Sequence, residues 1–267
     1  MLHFQKNNLT VFQSSLYKTT SAVIQSEKGI VLTDPTWLPH EIDEIKQYIN
    51  EHRGDRQLYI IYTHSDFDHI IGAGAFPEAA VIASEEFQMN TEKEMILKKI
   101  HDFDQEYYIE REYVSEYPTV DRVIKGDGEK LILGDMTLTF YKAPGHTDDG
   151  LFTVVEPFGL LLSGDYLSDV EFPFITSSYL DYVKTVDKAQ WIIDHHTINI
   201  HVPGHGNVTD NKKEIHDRIE FSESYLKRLI RGDSTLEQEL KDTFRFYEGM
   251  RASHTKNYEH VKRETDA

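Results

Sequence analysis

Four apolar runs in this chain each lead, within a few residues, into a side chain that can bind a metal. LYIIYTH ends at His64, TFYKAPGH at His146, LLLSGD at Asp165 and IHVPGH at His205. Short apolar runs of this kind read as buried strands. The C-terminal ends of strands along one sheet edge are where rigid backbone meets open loops, so a site assembled there is well positioned. Gly145, Gly164 and Gly204 stand immediately before the last three of these residues, and glycine lets the backbone turn sharply at such points. One ending of this type carries little weight. Four together require a fold that brings four strand ends to one place.

The first ending opens the densest cluster, His64-Ser65-Asp66-Phe67-Asp68-His69. If the segment stays extended, His64, Asp66 and Asp68 point the same way, while His69 points elsewhere, toward a second ion. A carboxylate such as Asp165 can bridge two cations roughly 3.5–4 Å apart, the spacing of two-metal hydrolases. The chain contains no cysteine, so disulfides, iron–sulfur clusters and thiolate zinc sites are excluded. The remaining nitrogen and oxygen donors suit zinc, iron or manganese. Of the other histidines, His3, His40, His52, His101, His216, His254 and His260 read as surface or hydrogen-bonded residues. His195 and His196 fall at a helix end, where histidine suits the dipole. His201 alternates with Ile200 and Val202 and reads as structural.

Around these endings the pattern alternates strands and helices. Strands are expected at Leu9 to Gln13, Tyr17 to Gln25, Ile30 to Thr33, Leu58 to Tyr62, Glu129 to Ile132, Met136 to Tyr141, Leu151 to Val155, Leu160 to Leu162 and Asn199 to Val202. Helices are expected at Pro39 to Asn50, where Ile42, Ile45 and Ile49 share a face, at Asp181 to His195, and at Asn211 to Arg231. A charged, helical insertion rich in aromatics spans about 84–117. Its Phe87, Phe103, Tyr107, Tyr108, Tyr113 and Tyr117 either form a lid over the metals or pack the insertion onto the body. Glu171-Phe172-Pro173-Phe174 is a second candidate for pocket lining. After about Arg251 the chain is polar and expected to fray. No low-complexity linker or charge block marks a boundary, so the whole 1–267 reads as one domain.

A net charge of -18, from 46 acidic and 28 basic residues, opposes the counterion displacement on which nucleic-acid binding depends. No apolar run approaches a membrane span, and the N-terminus MLHFQKNNLTVFQSS lacks the pattern of a signal peptide. The expected setting is the cytoplasm and the expected partner a small-molecule substrate. Neither nucleic acid nor membrane is expected.

The order of the motifs resembles the metallo-β-lactamase superfamily: a His-x-His-x-Asp-His loop, then Gly-His, Gly-Asp and a final Gly-His. The likeness runs from about Leu9 to Arg231. It implies a four-layer αββα sandwich, with two mixed β-sheets inside and helices outside. It also implies that His64, Asp66 and His146 bind a first metal, and Asp68, His69 and His205 a second, with Asp165 between them. Two divalent ions, zinc foremost with iron or manganese as alternatives, would share a bridging hydroxide, and Asp68 would orient this nucleophile. The substrate implied is a small ester, thioester or lactone. Asp66 departs from the pattern by replacing the family's second histidine, which adds hard oxygen character and leans metal choice toward iron or manganese. The flavodiiron branch carries a carboxylate there, so a diiron redox protein without its own flavin domain is a second expectation. A metal-free binding scaffold is a third.

Overall fold

The computed structural model describes residues 1–265. Along the chain lie β1 (Leu2–Lys6), β2 (Leu9–Gln13), β3 (Thr20–Gln25), β4 (Gly29–Thr33), α1 (Pro39–Arg53), β5 (Gln57–Ile61), α2 (Phe67–Ile70), β6 (Ala80–Ser84), α3 (Glu85–Met89) and α4 (Lys93–Tyr107). There follow β7 (Arg122–Ile124), β8 (Glu129–Leu133), β9 (Met136–Lys142), β10 (Leu151–Glu156), β11 (Leu160–Leu162), α5 (Tyr179–His195), β12 (Ile200–Val202), α6 (Lys212–Ile230), α7 (Leu236–Thr243) and α8 (Tyr247–Thr265). A seven-stranded sheet runs in the order β1-β2-β3-β4-β5-β6-β7 and a five-stranded sheet in the order β12-β11-β10-β9-β8. Both are mixed: β4 through β7 pair in parallel, as do β11 and β12, while the other pairings are antiparallel.

Side chains alternate across each strand, and the sequence uses both faces. On β4, Ile30 and Leu32 join the cluster under α1, whereas Val31 joins the cluster between the sheets. On β10, Leu151 and Val155 face the other sheet, while Phe152 and Val154 face α5 and α6. Strands covered on both sides need continuous apolar runs rather than alternating ones, which is why LYIIY and LLL are apolar throughout. The result is the expected layering of helix, sheet, sheet and helix. Each fully buried Leu, Ile, Val or Phe in these layers contributes about 1.5–3 kcal/mol.

Several segments differ from their sequence expectation. The strand expected from Tyr17 begins only at Thr20, because Tyr17 and Lys18 take left-handed backbone angles, φ 50° and 53°, in a tight turn. The insertion is helical only to Tyr107. Two of its aromatics are packing residues, Phe87 on Tyr62 at 5.5 Å between ring centroids and Phe103 on Trp37 at 4.9 Å, whereas Tyr107 and Tyr108 are exposed. The tail after Arg251 is polar but forms most of α8 rather than fraying. Met250, His254, Asn257 and Val261 are buried there, along one face of the helix. That stripe is sparse and half polar, so its periodicity is weak in the sequence. Among the described residues no helix is long and apolar enough to cross a membrane.

Candidate metal centre

The four strand endings converge, but from two sheets rather than one. β5 of the larger sheet delivers His64; β9, β11 and β12 of the smaller deliver His146, Asp165 and His205. The loop after β5 stays extended only as far as Asp66, and α2 then turns the chain. That turn separates Asp68 from His64 and Asp66, so the alternation expected over the three residues holds for two. Asp68 instead joins His69.

Two groups of donors result. His64, Asp66 and His146 offer ligand atoms that all lie within 4.8 Å of one another, and so do Asp68, His69 and His205. Asp165 sits between them: its Oδ2 lies 3.6 Å from His64 Nε2, 3.2 Å from His146 Nε2 and 3.3 Å from His205 Nε2, and its Oδ1 lies 3.0 Å from His69 Nε2. Asp66 Oδ2 is 3.3 Å from His146 Nε2, and Asp68 Oδ2 is 3.4 Å from His205 Nε2. All seven sequence-nominated residues are therefore brought together. His195 and His196 stay outside, His196 bonding Tyr141 Oη at 2.6 Å.

The ring nitrogens facing away from the centre are all engaged. His69 Nδ1 meets Asp34 Oδ2 at 3.0 Å, His146 Nδ1 meets the Phe174 carbonyl at 2.8 Å, and His205 Nδ1 meets the Tyr17 carbonyl at 2.9 Å. Since carbonyls and carboxylates only accept, these Nδ1 atoms donate, which leaves Nε2 as a lone pair aimed inward. His64 Nε2, His146 Nε2 and Asp165 Oδ1 are buried without any hydrogen-bond partner. Buried polar atoms are rarely left so. Nitrogen and oxygen donors converging in this way are what a cation requires once the Nε2 protons leave, so the donor set fits divalent metal ions.

The electrostatics agree. Burial opposes the imidazolium form of His205, yet Asp165, Glu171 and Asp68 hold it up at about 10. His69 and His146 are likewise raised against burial, chiefly by Asp165. His64 is pushed down by burial and by its neighbour His69. The Asp165 carboxyl overcomes its burial through the surrounding histidines and lies well below the usual range. Without metal, these carboxylates keep protons on their histidines; a bound cation takes the place of those protons.

Two features were not nominated from the sequence. Asp34, buried at the end of β4, accepts from Thr63 N at 2.8 Å and Thr63 Oγ1 at 2.6 Å as well as from His69. The same strand-end rule that found His64 also applies to VLTDP. A second support runs from Arg218 on α6 through His201 Nδ1, at 3.3 Å, and His201 Nε2 to Ser163 Oγ, at 2.8 Å; it ties together the loops bearing Asp165 and His205. The glycines differ in their reasons. Gly164 takes φ 51°, but at Gly204 space decides, since a Cβ there would lie 2.5 Å from Asp165 Oδ1.

A cavity of about 870 Å³ opens over the centre. Asp66, Asp68, His146, Asp165 and His205 form part of its lining. Glu171 and Phe174 line it as the sequence suggested, and Phe246 and Met250 from the α7–α8 region do so without any sequence signal. No aromatic of the 84–117 insertion lies among the lining residues. Glu171, held by burial at about 7, stands 4.0 Å from His205.

Comparison with known proteins agrees with this geometry. The family model described as the metallo-beta-lactamase superfamily matches residues 16–196. A metallo-beta-lactamase type 2 from Bacillus sp. (strain 170) is 23% identical over 78% of this chain and 74% of its own. Among solved structures, a metallo-beta-lactamase family protein from Thermus thermophilus is 19% identical, with TM-score 0.69 over 97% of this chain and 93% of its own. A double mutant of the sec-alkyl sulfatase PisA1, a Pseudomonas sp. enzyme, is 12% identical with TM-score 0.74; the match covers 98% of this chain but 49% of the sulfatase. The chain thus spans about half of that enzyme's length.

Proposed function

We propose, from the premise that this chain belongs to the metallo-β-lactamase superfamily, that it is a dinuclear metallo-hydrolase acting on an ester, thioester or lactone of a small molecule. The observation that carries the reading is the pair of three-residue donor groups sharing Asp165 at the floor of an open cavity. His64, Asp66 and His146 would hold one divalent cation, Asp68, His69 and His205 the other, and Asp165 would contact both. Zinc is the proposed metal. Bound there, such ions supply Lewis acidity and lower the pKa of water from 15.7 toward about 7.

The chain's own residues do the rest. Asp34 and the carbonyls of Phe174 and Tyr17 fix three imidazoles in one tautomer. Asp68 lines the cavity and would orient the attacking water by accepting its hydrogen bond at the carboxylate oxygen turned away from His69 and His205. Phe174, Phe246 and Met250 would cover the apolar part of a substrate and thin the water around it.

The test is turnover by zinc-loaded protein of 4-nitrophenyl esters, acyl thioesters and lactones. A β-lactam and a secondary alkyl sulfate serve as comparison arms, because a similar protein is named as a metallo-beta-lactamase and a similar structure as a sec-alkyl sulfatase. Hydrolysis of at least one acyl class, lost on chelation and restored by zinc, is expected. Activity confined to a comparison arm would overturn the substrate class, and none anywhere would overturn the hydrolase reading.

A further inference from the structure

We infer that Lys18 is a specificity-determining residue that anchors a substrate carboxylate, so that the substrates of this centre are acyl compounds carrying both an anionic group and an apolar body. The inference rests on the hydrolase reading above. Four carboxylates line the cavity, those of Asp66, Asp68, Asp165 and Glu171, and Lys18 is the one Lys or Arg side chain among its lining residues. In a chain of net charge -18, lysines readily find carboxylate partners. Lys18 Nζ instead makes one polar contact among the described residues, at 3.5 Å to the neutral amide oxygen of Gln13. Lys18 thus lines the cavity with no carboxylate partner among the described residues, and an ammonium so placed has donors available for a ligand.

The turn that carries Lys18 is held from both sides. Glu41 at the start of α1 accepts from Ser14 Oγ at 2.8 Å and Ser15 N at 3.1 Å. The Lys18 carbonyl accepts from Gly206 N at 3.0 Å, and Gln13 Nε2 donates to the Gly206 carbonyl at 2.5 Å. The Lys18 backbone is therefore fastened to the same loop that presents His205. The neighbouring carbonyl, that of Tyr17, receives the His205 Nδ1 proton, so the anchor and the metal donor share one backbone segment. The apolar requirement comes from Val170, Phe174, Phe246 and Met250 in the same lining. Phe246 is 53% exposed, an arrangement that suits contact with a ligand better than contact with water.

The experiment uses a matched pair of probes, the mono-4-nitrophenyl ester of suberic acid and 4-nitrophenyl octanoate, with zinc-loaded wild type, Lys18→Met and Lys18→Arg. Lys18→Met is expected to lower kcat/KM for the suberate monoester about tenfold, the low end for a hydrogen bond to a charged group, mainly through KM. The octanoate ester is expected to change less than twofold, and Lys18→Arg to keep most of the preference. Equal loss on both esters, or no change on either, would overturn the assignment. Should wild type hydrolyse neither ester, the thioester and lactone arms decide the hydrolase reading separately, and calorimetric binding of octanoate against 1-octanol still decides the anchor. A tenfold weaker octanoate affinity in Lys18→Met alone supports it, and equal affinity overturns it.

Discussion

Replacing Asp34 with Asn tests how this centre holds its histidines in the metal-binding tautomer. Asp34 is 1% exposed; its Oδ1 accepts from Thr63 N at 2.8 Å, and its Oδ2 accepts from Thr63 Oγ1 at 2.6 Å and faces His69 Nδ1 at 3.0 Å. Its φ of 39° is left-handed, a region Asn also tolerates, so the substitution removes charge without new backbone strain. The amide oxygen can replace Oδ1, but its NH2 must replace Oδ2. Thr63 Oγ1 can rotate to accept. His69 Nδ1 cannot keep its proton against that NH2, so the ring shifts the proton to Nε2, the atom that faces Asp165, Asp68 and His205. A hydrogen-bonded supporter of this kind is worth roughly tenfold to a hundredfold in metal affinity, and the lost charge-assisted hydrogen bond costs about 1.5–3 kcal/mol of stability. The loss should be larger at the site of Asp68, His69 and His205, which Asp34 touches directly, than at that of His64, Asp66 and His146, which it reaches only through Thr63 Oγ1, 3.1 Å from His64 Nδ1. Stepwise zinc titration by competition with a chromophoric chelator, with urea denaturation of the metal-free protein, measures both. Two unchanged affinities, or equal losses at both sites, would refute the tautomer argument.

Three further outcomes follow from the same geometry. Gly204→Ala would place a Cβ 2.5 Å from Asp165 Oδ1 and 2.8 Å from the Gly164 carbonyl carbon; overpacking of this sort costs about 1–3 kcal/mol, and metal content measured after dialysis should fall with it. In metal-free protein, His205 has its pKa raised from 6.5 to about 10. Its stabilising contribution is therefore complete below pH 6.5 and lost as pH rises toward 10. Thermal melting should show that loss, His205→Gln should flatten it, and zinc binding at pH 8 should release protons when titrated in buffers of different ionisation enthalpy. Asn257→Ala removes hydrogen bonds to Pro173 O at 2.6 Å, Tyr225 Oη at 2.7 Å and Ile175 N at 2.9 Å. At about 1 kcal/mol each, the loss should approach 3 kcal/mol in urea denaturation; a change under 0.5 kcal/mol would mean α8 does not hold the Phe174 loop.

Much of the centre was legible because metal ligation leaves a chemical trace at fixed places. The residue types at the ends of LYIIY, LLL and IHV name themselves, and the two faces of each buried strand explain the apolar runs that lead to them. Asp34 follows the same rule, but a lone Asp before Pro35 reads equally well as a turn. What the sequence did not carry is geometry fixed by long-range contacts. The left-handed turn at Tyr17 and Lys18 depends on Glu41 and Gly206, residues far away in the chain. The strands β1, β6 and β7 are short or half-exposed, too weakly patterned to stand out. Helix α8 looks like a frayed tail because its buried face includes His254 and Asn257, polar residues satisfied by Tyr225 and Pro173. The aromatic insertion showed its composition but not its direction; Phe87 and Phe103 turn inward onto Tyr62 and Trp37.

The most direct test of the account is metal stoichiometry by elemental mass spectrometry on protein loaded with zinc and freed of excess. Two zinc per chain in the wild type are predicted, with a marked loss in Asp165→Ala, since both donor groups lean on that carboxylate. No bound metal after loading would contradict the dinuclear centre on which the proposed chemistry stands, and two ions retained in Asp165→Ala would contradict the sharing of Asp165 between its two donor groups.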